Sequence, residues 1–347
     1  MILMWYFTTY TNAFQPGSEM DIRSITISDP DSRVDDRISM LKKEDYGFIN
    51  VLSLTQGGDP INFNVAGTVL EVKLSVPIKS GSSTELKMVF EGQVPPVIRR
   101  AGKNSSEEVA LSMAQWYPKM AEYDFEGWHA DPYIGREFHG VWGDFDVKLS
   151  IDKNYTVGGT GYLQNPENVG HGYGKKSKNG ESELITWHFI APNVHDFTWA
   201  ADPNFTHDTI RVPGGPVLHF LYKSSLNEVY KKNWRRLQPM AVKIIQHYSR
   251  SIGNYPYEQY SIIQGGDGGM EYGMCTLITG ERDFESLLGV TAHEIGHTWF
   301  QFLLASNESK HPWLDEGFAE YTCTFIENQL LGKSNKDPLR DSYNRYF

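Results

Sequence analysis

The chain has 347 residues, too many for one comfortable hydrophobic core, so two domains are expected; 40% hydrophobic and 22% charged residues exclude wholesale disorder. A net charge of -11 argues against a nucleic-acid partner, because phosphate binding needs a basic face. Two cysteines, Cys275 and Cys323, are too few for a disulfide framework and lack metal-ligand spacing; both read as buried packing residues and leave the compartment open.

The opening apolar run 1–7 lacks a basic leader and a small-residue cleavage site, and it continues into Thr8, Thr9 and Tyr10. It therefore reads as a β-strand rather than a signal peptide. No stretch approaches the roughly 20 apolar residues of a membrane helix, so no transmembrane segment is expected. Residues 20–205 read as strands and turns. In 68–76, Leu70, Val72, Leu74 and Val76 recur at the period of two that one buried strand face demands. Segments 85–91 and 144–151 are patterned alike, and clusters at 79–84 and 165–180 separate such strands. The lysine-rich 175–178 reads as a solvated hairpin tip.

The character changes after about Val217. Between 226 and 252, Trp234, Leu237, Ala241, Ile244, Ile245 and Tyr248 recur at helical spacing, with Pro239 expected to kink or split the helix. A strand at 260–264 follows the Asn254-Tyr255-Pro256 turn, then helices at 287–304 and 315–331. The fold class is α+β and multidomain, an all-β first part followed by a helix-rich second part.

The second part carries the chemistry. From Val290 the text reads VTAHEIGHTWF, so His293 and His297 lie one helical turn apart on one face. Imidazoles so placed bind one zinc ion at roughly 2.0–2.1 Å, and Glu294 beside them can reach the attacking water. A catalytic zinc needs a third protein ligand and an open position. Eighteen residues beyond His297 stands Glu316, and one turn later Glu320, placed to accept a ring N–H from a ligand histidine. The apolar flanks Val290, Ile295, Trp299 and Phe300 point to a buried helix, where His and Glu need partners.

Together these motifs resemble the gluzincin aminopeptidases, the alanyl-aminopeptidase-like zinc exopeptidases. That family joins H-E-x-x-H, eighteen residues and Glu in a W-L-x-E-G-F-A segment, matched here by Trp313-Leu314-Asp315-Glu316-Gly317-Phe318-Ala319. Its Gly-x-Met-Glu-Asn element is matched by Gly268-Gly269-Met270-Glu271-Tyr272, with Tyr272 departing from the usual Asn. The resemblance implies an amino-terminal β saddle or sandwich domain at 1–205, lacking its first strands, and a thermolysin-like catalytic domain at 206–347, lacking its carboxy-terminal part. It implies one Zn2+ per chain on His293, His297 and Glu316, with Glu294 as general base and acid. It further implies that Glu271 binds the substrate's α-amino group, that Gly268 and Gly269 let the backbone approach the substrate, and that Gln115 helps hold the amine. The segments 115–118 and 136–138 also resemble the family's β domain. The family's oxyanion-stabilising tyrosine is expected beyond Phe347; Tyr321, Tyr343 and Tyr346 come too early.

The expected partners are peptides with a free amino terminus. A zinc endopeptidase of the thermolysin type and a peptide-binding module on a peptidase fold are the competing readings; an intact Glu294 argues against the second. An epoxide hydrolase activity exists in the wider family, but nothing here specifies it. An envelope, periplasmic or secreted location suits the resemblance, while the N-x-Ser/Thr triplets at Asn104, Asn154, Asn204 and Asn307 arise readily by chance.

Overall fold

The computed structural model describes residues 2–27, 32–135, 137–175, 182–333 and 343, so Arg136, most of the lysine run at 175–178 and Tyr346 lie outside the described residues. The chain forms two compact units, 1–103 with 113–141, and 104–112 with 142–347.

In the first unit the opening run does form a strand, β1 (Ile2–Thr8). Ser18 then caps the short helix α1 (Glu19–Thr26) by accepting the Asp21 N–H at 3.1 Å, a helix within the stretch read as strands and turns. Strands β2 (Phe48–Gln56), β3 (Phe63–Ala66), β4 (Val69–Ile78) and β5 (Leu86–Gln93) follow. One antiparallel sheet runs β3-β4-β1 and a second joins β2 to β5. Leu70, Val72 and Leu74 bury the expected face of β4 against Leu54 and Ile61, with Trp5 and Phe7 packed alongside. Val76 does not join them and is 65% exposed, because a bulge shifts the β1–β4 register at that end. A small hairpin, β6 (Tyr123–Asp124) and β7 (Gly127–Trp128), lies near the end of the unit.

The second unit opens with the long antiparallel pair β8 (Gly143–Asp152) and β10 (Leu184–Val194), between which comes β9 (Thr156–Gly159), paired with β11 (Trp199–Asp202). The sequence division at 205/206 grouped these strands with the first part; in the structure they pack within the second unit. The reason is local. Ser261 Oγ donates to the Gly159 carbonyl at 3.1 Å, and Gln259 Nε2 donates to the Gly161 carbonyl at 2.9 Å. A side chain at Gly158 would strike Leu221 and Ile263. Glu107 ties in 104–112, accepting from the Gly280 and Glu281 amides and from Gln264 Nε2 at 2.6–3.0 Å.

The central sheet of this unit comprises β12 (Phe205–Arg211), β13 (Val217–Lys223), β14 (Gln259–Gln264), β15 (Gly269–Tyr272) and β16 (Cys275–Ile278), in the order β12-β13-β14-β16-β15. β13, β14 and β16 are parallel, with an antiparallel strand on each flank. Parallel neighbours need a crossover, supplied between β13 and β14 by α2 (Glu228–Ser251). All six apolar positions read from the sequence are buried on α2. Pro239 does not split it; the residue sits on the exposed face, where water can serve the carbonyl it leaves without a donor.

Helix α3 (Phe284–Gly296) begins at Asp283, whose side chain accepts the Ser286 N–H at 2.9 Å. It ends near His297 rather than running on to 304, because Phe300 and Gln301 leave helical backbone, Gln301 at φ 85°. Gln301 is buried there, donating to Glu308 Oε1 at 3.0 Å. After this irregular turn, α4 (Pro312–Leu330) starts on a proline at its first position.

Helices α2 and α3 meet closely at Gly296. The buried Tyr248 hydroxyl donates to the Ala292 carbonyl at 3.0 Å, and a Cβ on Gly296 would lie 2.6 Å from that oxygen. Tyr248 cannot swing away, since its ring stacks on Trp299 at 5.0 Å. Gly296→Ala is therefore expected to lower unfolding stability by about 1–3 kcal/mol by overpacking. Urea denaturation of Gly296→Ala in wild-type and Tyr248→Phe backgrounds checks this: the cost should shrink in the second background, and an equal cost in both would place the strain elsewhere.

Candidate metal centre

The last turn of α3 and the first turn of α4 bring three donor atoms together. His293 Nε2 stands 3.0 Å from His297 Nε2 and 3.1 Å from Glu316 Oε2, and the third separation is 3.7 Å. Tetrahedral ligands at roughly 2.0–2.1 Å from one ion sit about 3.3 Å apart, so the donor triangle fits a zinc ion. The other nitrogen of each ring faces a carboxylate. His297 Nδ1 donates to Asp315, and His293 Nδ1 lies 3.5 Å from Glu320 Oε2. Such partners fix the tautomer with the proton on Nδ1, which turns both Nε2 lone pairs toward Glu316.

The electrostatics point the same way. Burial opposes charge on His293, yet Glu316, Glu320 and Glu294 outweigh it and push the ring up to about 11. Burial likewise opposes charge on His297, yet Glu271 and Asp315 push it up to about 10. Five carboxylates around two imidazoles demand positive charge, which a divalent cation satisfies.

Glu294 is buried one residue after His293, and the space for its carboxylate is made by a glycine. A Cβ on Gly269 would lie 2.1 Å from Glu294 Oε1, whereas Gly268 faces open space. Of the two glycines, then, Gly269 seats the catalytic candidate and Gly268 leaves its surroundings clear. Glu271 lies on β15, buried, with Oε1 3.8 Å from His297 Nδ1. Among the described strands β15 lies at the end of the sheet, paired with β16. Tyr272 is buried on the same strand. Gln115 falls in the other unit, buried in left-handed backbone at φ 46°. Tyr321 and Tyr343 are exposed, Tyr321 lying edge-on to Phe325 at 4.9 Å.

Sequence reasoning passed over Asp315. It is wholly buried and belongs to the first turn of α4, where the helix dipole favours an anion. The available signal was a carboxylate next to the third ligand inside an apolar helix, which has to find a cationic or N–H partner.

No family model matches the chain. It is 22% identical over 293 residues to aminopeptidase Q of Homo sapiens, an alignment covering 76% of this chain and 27% of that protein. It is 32% identical over 107 residues to leucine aminopeptidase 2 of Saccharomyces cerevisiae, covering 28% and 15%. It thus spans about a quarter or less of these relatives' length. Among solved structures, the M1 zinc metallopeptidase of Deinococcus radiodurans matches over 86% of this chain and 64% of that one, with a TM-score of 0.53 and 14% identity; a mutant of it gives 0.55. The fold, mixed sheets and helices, is therefore that of an M1 zinc metallopeptidase. Together with that fold, these aminopeptidase relatives support a gluzincin aminopeptidase family for the chain.

Removing the carboxylate behind His297 tests the centre without touching a donor of the triangle. Asp315→Asn should weaken zinc binding by about 10–100-fold while leaving circular dichroism unchanged. Competition with a chromophoric chelator measures this, and wild-type affinity would contradict the role given to Asp315.

Proposed function

We propose that this chain carries the catalytic centre of a zinc aminopeptidase, with one ion at the His293, His297 and Glu316 triangle. The observation that carries the reading is the convergence of those three donors with Glu294 directly beside them. We take the first unit as part of the family's amino-terminal β domain and the central sheet with α2, α3 and α4 as a thermolysin-like catalytic domain.

A zinc ion at this centre supplies Lewis acidity to the scissile carbonyl and makes water more acidic. The side chains do the rest. Glu294, held against Gly269, accepts a proton from the attacking water and returns it to the leaving amine. Glu271, a buried carboxylate 3.8 Å from His297 Nδ1, neutralises the substrate's α-ammonium group in this reading, which fixes the cut at the first peptide bond. Glu320 holds the ring of His293, and Asp315 that of His297. Gln115 is retained as a further contact to the substrate amine on the family resemblance.

Two variants separate chemistry from recognition. Glu294→Gln should retain zinc and lose aminoacyl-fluorophore hydrolysis by roughly 10²–10⁴-fold, the usual worth of a general base. Glu271→Gln should raise KM for free-amine peptides tenfold or more, since a bond to a charged group is worth about 1.5–3 kcal/mol. N-acetylated peptides should resist the wild-type protein. Cleavage of acetylated peptides at internal bonds, unaffected by Glu271→Gln, would instead make it an endopeptidase.

A further inference from the structure

A second cluster of metal-binding side chains lies in the first unit. Asp124, His129 and His139 each aim a donor atom into one space, all within 4.8 Å of one another. We propose that these residues form a separate site for a divalent transition-metal ion of the zinc class, which fastens the β6–β7 hairpin to the segment bearing His139. The proposal does not depend on the peptidase reading, because it uses none of that centre's residues.

The hairpin prearranges the donors. The Glu126 amide donates to Asp124 Oδ1 at 2.8 Å, fixing the carboxylate within the turn and leaving Oδ2 at 2.8 Å from His129 Nε2. His129 is set in register by its own amide, which donates to the Glu122 carbonyl at 2.9 Å. His139 arrives from a third segment, its neighbour Gly140 bridging to Ala121 at the base of the hairpin. Its ring stands nearly perpendicular to that of His129, with centroids 5.2 Å apart.

The chemistry selects the ion. Two imidazoles and one carboxylate suit zinc or cobalt rather than calcium or magnesium, which take oxygen ligands. All three residues are partly buried, so a cation can enter from solvent. The fold also gains from it. β6 and β7 have two residues each and, among the described strands, pair with one another, and hairpins that short are marginal in water. The Trp128 ring packs edge-on against Tyr6 at 5.7 Å, while the tip carries Phe125 at 96% exposed. A metal bridge from Asp124 to His139 closes the loop between them and limits its unfolded freedom.

The test is metal stoichiometry on the full chain, stripped with chelator, dialysed against Zn2+ and measured by mass spectrometry of the metal. Wild type should hold two ions, His139→Gln one and His297→Gln one. The His297→Gln protein should also give a cobalt absorption band that Zn2+ abolishes, which keeps the test decisive if His139→Gln fails to fold. Equal zinc in wild type and His139→Gln, or no cobalt band in His297→Gln, would overturn the proposal. A single ion lost with His139→Gln and kept in His297→Gln would sustain this site and remove zinc from the peptidase centre, so the two readings fail separately.

Discussion

Two imidazole nitrogens 3.0 Å apart, with a carboxylate oxygen 3.1 Å from one of them, form the contact on which the second unit depends. Such an arrangement is costly without a shared partner, since neighbouring lone pairs repel and protonating both rings would set like charges side by side in a buried place. The helical period solves the first part of the placement. One turn of α3 sets His293 and His297 on the same face, and α4 then has to arrive with Glu316 at the right height. The irregular turn at 298–303 makes that arrival possible. By leaving helical backbone at Phe300 and Gln301, the chain turns away from α3 immediately after the second histidine.

Around this triangle, small residues and buried acids divide the labour. Gly296 lets α2 come close enough for Tyr248 to bond the α3 backbone, so the helix that carries both histidines is braced from behind. Gly269 leaves room for Glu294 on the other side. Asp315 and Glu320 face the outer nitrogens of the two rings, one each, and Glu271 stands beyond His297. The same residues therefore serve the packing of α3 and the chemistry proposed for it. A change at either glycine would move the donors and not only weaken the fold.

Much of this was legible in the residues. H-E-x-x-H and the later Glu carry their geometry in their spacing, because a helix turns a separation of four into one face. The buried stripe of α2 was equally plain, from Trp234 to Tyr248. Other features depended on tertiary context. Pro239 reads as a breaker, but a proline on a solvent face breaks nothing when its unpaired carbonyl is hydrated. Val76 fits the alternation and still lies outside, because a register shift between strands far apart in sequence decides its side. The grouping of the strands at 142–205 could not be read from their pattern, since alternation reports that a strand has a buried face and not which sheet covers it. Asp315 was hidden next to a more conspicuous ligand. The 124–139 cluster was hidden because its donors follow a hairpin fold and no regular spacing.

The most direct test of the account is the anomalous X-ray signal at the zinc edge from crystals of the zinc-loaded chain. A strong peak is expected, bounded by His293 Nε2, His297 Nε2 and Glu316 Oε2, at roughly 2.0–2.1 Å from each. A well-ordered chain with no peak at that triangle would contradict it, and the carboxylates around the two rings would then have to be explained as an ion-pair network alone.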